Sequence, residues 1–303
     1  MITINGNAGK TDGRVIALGM FDGVHRGHQE LLHQGKILAE REGVPLRVCT
    51  FDRHPLEVIF PDRAPLLLNT PGEREARMAV CGVDELRVMP FDRETADTAP
   101  EDFIRMLREE QEIRAVVAGW NYTFGRGGAG TAEMLLEDGK RKGYEVLIVP
   151  PVRTQEGEII SSSTIREKLR SGDFDGAAEM LGYDYPLTGP VTDGKHIGRR
   201  IGSPTANIAV SSRKQLPAYG VYACRMICDS TAWNAVVNIG LQPTLPSGKV
   251  TVEAHALDAA PDLYGQNVEL RLIRYLRPEI RFESVEALER QIRQDIMQAR
   301  AVL

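Results

Sequence analysis

Ten consecutive residues, Gly19-Met20-Phe21-Asp22-Gly23-Val24-His25-Arg26-Gly27-His28, combine a glycine-punctuated turn with two imidazoles three positions apart. An apolar run, Arg14-Val15-Ile16-Ala17-Leu18, precedes them, and a helical pattern starts near Gln29. Strand, glycine turn and helix N-terminus is the arrangement by which α/β sheets bind phosphate, because main-chain N–H groups and the helix dipole converge there on an anion. Residues three apart share a helix face. His25 and His28 are therefore placed to donate together to phosphate oxygens as charge grows in a transition state. The chemistry expected is on a nucleoside triphosphate. A metal-binding reading of the pair lacks a Cys, Asp or third His at helpful spacing. Either imidazole would also serve as an ordinary helix cap.

Two further strings in the first half carry polar groups. Val117-Ala118-Gly119-Trp120-Asn121-Tyr122-Thr123-Phe124-Gly125 reads alone as a tight turn after a buried strand. Ile160-Ser161-Ser162-Ser163-Thr164-Ile165-Arg166 reads as a helix N-cap with a solvated Arg. Hydroxyls and free N–H groups at a helix start, with Arg166 one turn inside, also make a clamp for a triphosphate.

The second half has its own constellation. Gly189-Pro190-Val191, Gly194 and Gly198-Arg199-Arg200-Ile201-Gly202 lead into Ser203-Pro204-Thr205-Ala206-Asn207. An ordinary hairpin accounts for these glycines. A glycine loop also brings N–H groups to phosphates, with a Thr hydroxyl on magnesium. Glu253 lies between Val252 and Ala254. On a strand those two point inward, which turns Glu253 away from them, toward an opening or a crevice.

The elements that must position these residues follow two patterns. In the first half, apolar strands at Val15–Leu18, Leu46–Phe51, Glu85–Met89, Ala115–Ala118 and Glu145–Val149 alternate with helical patterns at Gln29–Arg41, Glu73–Val80, Pro100–Glu110 and Ala132–Lys142. Such alternation predicts a parallel sheet with helices on both faces. Gly19, Phe51 and Gly119 then lie at carboxyl ends of strands, where ligands of these sheets bind. Helices at Ser162–Arg170 and Phe174–Leu181 close this half, and a short linker follows around Gly182–Pro186. Beyond it, β-rich runs at Gly220–Cys228, Trp233–Ile239, Val250–Leu257 and Val268–Leu276 predict an antiparallel sheet or small barrel. An amphipathic helix at Val285–Arg300 ends the chain, with Leu288, Ile292 and Ile296 on one face.

Composition and charge narrow the class. The 303 residues carry a net charge of −5. From Tyr183 onward 14 basic and 12 acidic residues give +2, and the part before it gives −7. Neither half has the basic excess of a non-specific nucleic-acid binder. Cys49, Cys81, Cys224 and Cys228 form no C-x-x-C, which reads as a reduced, cytoplasmic chain. The N-terminus is polar and no apolar run reaches membrane-spanning length. Cys224 and Cys228 are expected to share one face of a strand.

The string G-x-F-D-G-x-H-x-G-H closely resembles the HxGH nucleotidyltransferase superfamily, and within it the adenylyltransferase half of bacterial FAD synthetases. The strings around Asn121 and Arg166 occur in that family's order, the latter resembling I-S-S-T-x-I-R. In the second half G-x-P-T-A-N resembles the riboflavin kinase family. So do Leu216-Pro217-x-x-Gly220-Val221-Tyr222-Ala223, Asn238-Ile239-Gly240-x-x-Pro243-Thr244, Val252-Glu253-Ala254-His255 and Asp262-Leu263-Tyr264-Gly265. The resemblance implies an α/β nucleotidyltransferase domain with a Rossmann-like parallel sheet over residues 1–182. A small antiparallel β-barrel with a C-terminal helix, the kinase, follows over 183–303. It implies phosphorylation of riboflavin to FMN, and transfer of AMP from ATP to FMN giving FAD and pyrophosphate, with Mg2+ on the phosphates. The alternative is a monofunctional riboflavin kinase with a weakened first half.

Residue by residue, the resemblance implies His25 and His28 on the ATP phosphates. Gly19, Phe21, Asp22 and Gly27 belong to the nucleotide-binding turn. Asn121 orients nucleotide or metal, and Ser162, Ser163 and Arg166 hold the leaving pyrophosphate. In the kinase, Glu253 is the catalytic carboxylate, Gly198 and Gly202 belong to the nucleotide loop, Thr205 and Asn207 help hold magnesium, and Arg277 lies on a flap over the flavin. Phe51-Asp52-Arg53-His54-Pro55 matches near the flavin without a catalytic role. Asn121 stands where many members have Asp and Thr164 where Arg is frequent, so weaker nucleotide affinity is expected. The partners expected are small molecules, with no nucleic acid and no membrane; the oligomeric state is not legible.

Overall fold

The computed structural model describes residues 1–5, 11–192, 205–241 and 250–303. The chain divides into two compact units, Met1–Ser162 and Ser163–Leu303.

The first unit is a six-stranded parallel sheet in the order β1-β4-β3-β2-β5-β6. The strands are β1 (Ile2–Asn5), β2 (Thr11–Leu18), β3 (Leu46–Phe51), β4 (Glu85–Met89), β5 (Gln111–Gly119) and β6 (Glu145–Val149). The helices are α1 (Arg26–Glu42), α2 (Leu56–Ile59), α3 (Pro71–Val80), α4 (Arg93–Asp97), α5 (Pro100–Glu110) and α6 (Ala132–Lys142). Alternation along the strands splits the core in two. Val15, Ala17, Val48, Leu86 and Val117 meet Leu31, Leu32 and Leu38 of α1 and Met78 of α3. Ile16, Leu18, Cys49, Val116 and Ala118 meet Phe103, Ile104 and Leu107 of α5 and Leu135 of α6. The five strands read from sequence are present, three with unchanged bounds. β1 is additional: its ITIN segment alternates over four residues only, too short to read, and it forms by parallel pairing with β4 at the sheet edge.

The second unit is a closed barrel in the order β10-β11-β8-β7-β12-β9. Its strands are β7 (Tyr185–Thr192), β8 (Ala206–Ile208), β9 (Gly220–Cys228), β10 (Thr231–Leu241), β11 (Val250–Ala256) and β12 (Asn267–Arg277), and α9 (Val285–Arg300) follows them. The sequence pattern missed β7 and β8. β7 carries two prolines and β8 has three residues, so neither shows a period long enough to read. Cys224 and Cys228 are both buried on β9, as expected.

The helices α7 (Ser162–Ser171) and α8 (Phe174–Leu181) supply core to this second unit. The Ala218 N–H donates to the Leu169 carbonyl at 2.8 Å, and Phe174 packs edge-on against Tyr222 with centroids 5.4 Å apart. Phe174, Met180 and Leu181 are no more than 2% exposed. A fragment starting at Ser163 is therefore expected to be more stable than one starting at Tyr183, by about 4 kcal/mol or more for these three side chains. Thermal midpoints of the two fragments check this, and equal midpoints would overturn it.

Candidate active sites

In the first unit β2 is flanked by β3 and β5, with Leu18 opposite Cys49 on one side and Ala118 on the other. From β2 the chain steps to β3 and β4 on one side, then returns to β5 and β6 on the other. This is a topological switch point, where a crevice opens beyond the carboxyl ends of the strands. The loops after Leu18, Phe51 and Gly119 all leave this edge, so the three strings do converge.

The loop after β2 is strained. Phe21 has φ 53 and Val24 φ 34, both in the left-handed region without being glycine, at a cost of about 1–2 kcal/mol each. The buried Phe21 ring occupies the space beside Gly19, where a Cβ would lie 3.1 Å from it. The turn delivers His25 as the N-cap of α1. The His25 Nδ1 accepts from the His28 N–H at 3.4 Å, so a neutral His25 carries its proton on Nε2. A Cβ at Gly27 would come within 3.2 Å of His25 Nδ1, so glycine there leaves room for the imidazole. The two imidazoles stack, centroids 3.7 Å apart and 20° from parallel. The first turn of α1 holds no acidic side chain, which leaves its positive end for an external anion. Capping and phosphate binding, posed as alternatives for the histidines, use different nitrogens of His25 and coexist.

The Nδ1 of His28 is enclosed and has no hydrogen-bond partner among the described residues. Burial, and secondarily the neighbouring His25 charge, hold the His28 pKa well below 6.5. His28 is therefore neutral at pH 7 in the free protein. As pH falls below about 6.5 the unfolded chain takes up a proton that folded His28 refuses, so stability falls with pH in that window. The drop in thermal midpoint between pH 7.5 and 5.5 is expected to be smaller in His28→Asn than in wild type. Equal drops would sink this reading of His28.

Other expected residues of this region are placed as follows. The buried Asp22 carboxylate accepts from the Leu68 and Asn69 N–H groups at 2.9 and 3.2 Å. Its main-chain carbonyl accepts from the Ser162 hydroxyl at 2.8 Å. Asp22 and Ser162 thus hold the loop. Asn121 is exposed just beyond β5, its Oδ1 packed over Gly119. On α7, Ser163 is exposed and Arg166 buried; both belong to the second compact unit. Sequence reading missed Arg74 of α3. Its guanidinium donates to the Met20 and Phe51 carbonyls at 3.1 and 2.9 Å. Its only sequence signal is a place in a capped helix, which marks structure rather than a site.

In the second unit the outer face of the barrel carries a polar row. Glu253 of β11 pairs with Asn207 of β8 on one side and Asn238 of β10 on the other. Directly opposed residues share a face, with Cβ atoms about 4.5–5.5 Å apart. Val252, Ala254 and Ala256 are buried, and Glu253 and both Asn are half-buried. The alternation expected at Glu253 holds. Asn238 was visible in sequence only as part of a matching string, because its adjacency to Glu253 depends on register.

A cavity of about 350 Å³ opens between Thr205, Ala206, the inward-facing Ala254 and Ala256 of β11, and the loop Ala259–Tyr264. The alanines keep its walls short. Gly198 and Gly202 lie outside the described residues. Arg277, at the end of β12, donates through two nitrogens to Asp295 of α9 at 2.8 and 2.7 Å. Among the described residues no group of three or more His, Cys, Asp or Glu is placed to hold a metal ion.

Comparison with known proteins bears on both halves. Residues 8–164 match the FAD synthetase family and residues 181–303 the riboflavin kinase family. The chain is 35% identical over 292 residues to a bifunctional riboflavin kinase/FMN adenylyltransferase of Listeria monocytogenes, covering 95% of this chain and 92% of that protein. It is 33% identical over 291 residues to the protein of the same name from Escherichia coli, with the same coverage. A solved structure titled as a macrolide-efflux protein from Streptococcus pneumoniae is similar with a TM-score of 0.89 at 32% identity, covering 99% of both chains. Among the described residues no helix is long and apolar enough to cross a membrane.

Proposed function

Because the chain belongs to the bifunctional riboflavin kinase/FMN adenylyltransferase family, we propose that two separate sites on it perform the two reactions through the residues described above. The enzyme phosphorylates riboflavin to FMN and adenylylates FMN to FAD, with ATP as the donor in both. Matches to both family models over separate segments favour this over the monofunctional alternative. The division by reaction is 1–182 for adenylyl transfer and 183–303 for the kinase, and those matched segments support it.

In adenylyl transfer the FMN phosphate attacks the α-phosphorus of ATP and pyrophosphate leaves. No protein nucleophile is required, so positioning and charge stabilisation carry the catalysis. The observation that carries this site is the stacked His25–His28 pair at an acid-free helix N-terminus. His25 donates through Nε2, and the neutral His28 supplies a second imidazole stacked on it. Gly19, Phe21 and Gly27 shape the turn, and Asp22 and Ser162 brace it. Asn121 orients the nucleotide, and Ser163 and Arg166 hold the pyrophosphate. The exposed rings of Phe60 and Trp120 follow β3 and β5 and offer flat apolar faces to the flavin.

In the kinase Glu253 takes the proton of the ribityl 5′-hydroxyl as its oxygen attacks the γ-phosphorus. Asn207 and Asn238 flank the carboxylate and restrict its position. The alanine-lined cavity offers an apolar place for the adenine, with Thr205 on its wall. The oxygen donors of Thr205 and Asn207 fit Mg2+, which keeps several waters and takes few protein ligands beside substrate phosphates. When bound, Mg2+ neutralises charge on the phosphate oxygens. Gly198 and Gly202 complete the nucleotide loop. Arg277 acts on the flavin by anchoring the segment after β12 to α9. Four free cysteines fit a cytoplasmic location, and the partners are small molecules only. Incubating the protein with riboflavin, ATP and Mg2+ and resolving riboflavin, FMN and FAD over time tests the whole reading; FMN without FAD would sink the adenylyltransferase half.

A further inference from the structure

We infer that Arg74 is a positioning residue for adenylyl transfer, an inference that rests on the reading of the His25–His28 site above. Arg74 sits in the first turns of α3 and is 8% exposed. One guanidinium nitrogen donates to the Met20 carbonyl at 3.1 Å and another to the Phe51 carbonyl at 2.9 Å. The Thr50 hydroxyl adds a weaker bond to the same Met20 oxygen at 3.3 Å. Both carbonyls belong to chain leaving the carboxyl ends of adjacent strands, β2 and β3. A fork with fixed donor directions bridges two carbonyls in a way a point charge does not.

The Met20 carbonyl immediately precedes Phe21, the first left-handed residue of the turn that ends in His25. The peptide is planar. Holding the Met20 oxygen therefore sets the plane of the Met20–Phe21 peptide and turns the Phe21 N–H to the opposite side. It also draws a partly negative carbonyl away from where the triphosphate must sit. The nearest acids are engaged elsewhere: Asp22 by the Leu68 and Asn69 N–H groups, Asp52 by Arg53 and the Phe91 N–H. Among the described residues this buried cation is hydrogen-bonded to carbonyls and not to a carboxylate. Burial lowers the Arg74 pKa, with the Asp22 and Asp52 charges opposing; a guanidinium remains protonated regardless.

The hold is reciprocal. α3 is started by a complete capping box between Thr70 and Glu73, with a proline after the cap. Asp22 of the turn reaches the residues just before that helix, and Arg74 of the helix reaches back to the residue before Phe21. The loop carrying His25 is therefore fixed at two points to one rigid element.

The test uses full-length Arg74→Met and Arg74→Lys. For each, kcat and KM for ATP in FAD formation from FMN are measured beside riboflavin phosphorylation and the thermal midpoint on the same preparation. Arg74→Met is expected to lose about 10–100-fold in kcat for FAD formation, with KM for ATP raised and the kinase unchanged. Arg74→Lys keeps the charge but reaches one carbonyl at a time, and should recover only part of the loss. A role confined to stability would lower the midpoint and leave both constants of the folded protein at wild-type values. That result, within about twofold, overturns the inference. If Arg74→Met does not fold, Arg74→Lys decides by the same criterion. Wild-type protein that makes no FAD overturns the reading of the site itself, and the inference with it.

Discussion

Glu253→Gln is expected to lower riboflavin phosphorylation by about 10²–10⁴ in kcat, the usual worth of a general base. Glutamine keeps the size of the side chain and its place between Asn207 and Asn238. What it loses is the capacity to take the ribityl proton. That interaction acts in the transition state, so KM for riboflavin should change little. Conversion of supplied FMN to FAD should continue at the wild-type rate, because Glu253 has no part in that reaction. A half-buried strand glutamate with no role in chemistry behaves differently: its replacement shifts stability by less than about 0.5 kcal/mol and leaves the rate alone. Kinase turnover and thermal midpoint measured on one preparation separate the two. A stable variant with near wild-type turnover would move the base to another group.

The counterpart in the first unit is His28→Ala, expected to cost FAD formation two or more orders of magnitude, about the worth of one well-placed donor to developing charge. His28 is the cleaner choice of the pair. His25 also caps α1, so its loss would combine a missing donor with a frayed helix start. His28 contributes no hydrogen bond through its buried Nδ1, so its removal leaves little native bonding broken. Riboflavin phosphorylation should stay near wild type. A parallel fall in both activities would refute the assignment of the two reactions to separate sites, and undiminished FAD formation would remove His28 from catalysis.

The parts legible in the sequence share a physical character: each is governed by neighbours in the chain. β3, β4, β6 and β9 are largely apolar runs bounded by Gly, Pro or Asp, and their bounds could be read directly. Helix periodicity did the same for α5, α6 and α8. A side chain at Gly19, or at Gly27 in the first turn of α1, would crowd Phe21 or His25, both local contacts. The strands that escaped notice, β1, β7 and β8, are short, polar or proline-bearing. They exist because a partner strand supplies hydrogen bonds to them.

By itself the sequence determined the alternating α/β first half, the β-rich second half and, through its matching strings, the family, and it put forward His25, His28 and Glu253 as candidates for the chemistry. Local patterning suffices for the halves, and the matching strings for the rest. Only the tertiary structure decided which nitrogen of His25 caps α1, since that turns on a bond from the His28 N–H to Nδ1. It also decided that Asp22 and Ser162 brace the turn, that Asn238 and Asn207 flank Glu253, that Arg277 is committed to Asp295, and that Arg74 holds the ends of β2 and β3. Most of these join residues tens to more than a hundred positions apart. Strand register and the direction of a buried side chain settle them, and neither leaves a period in the sequence.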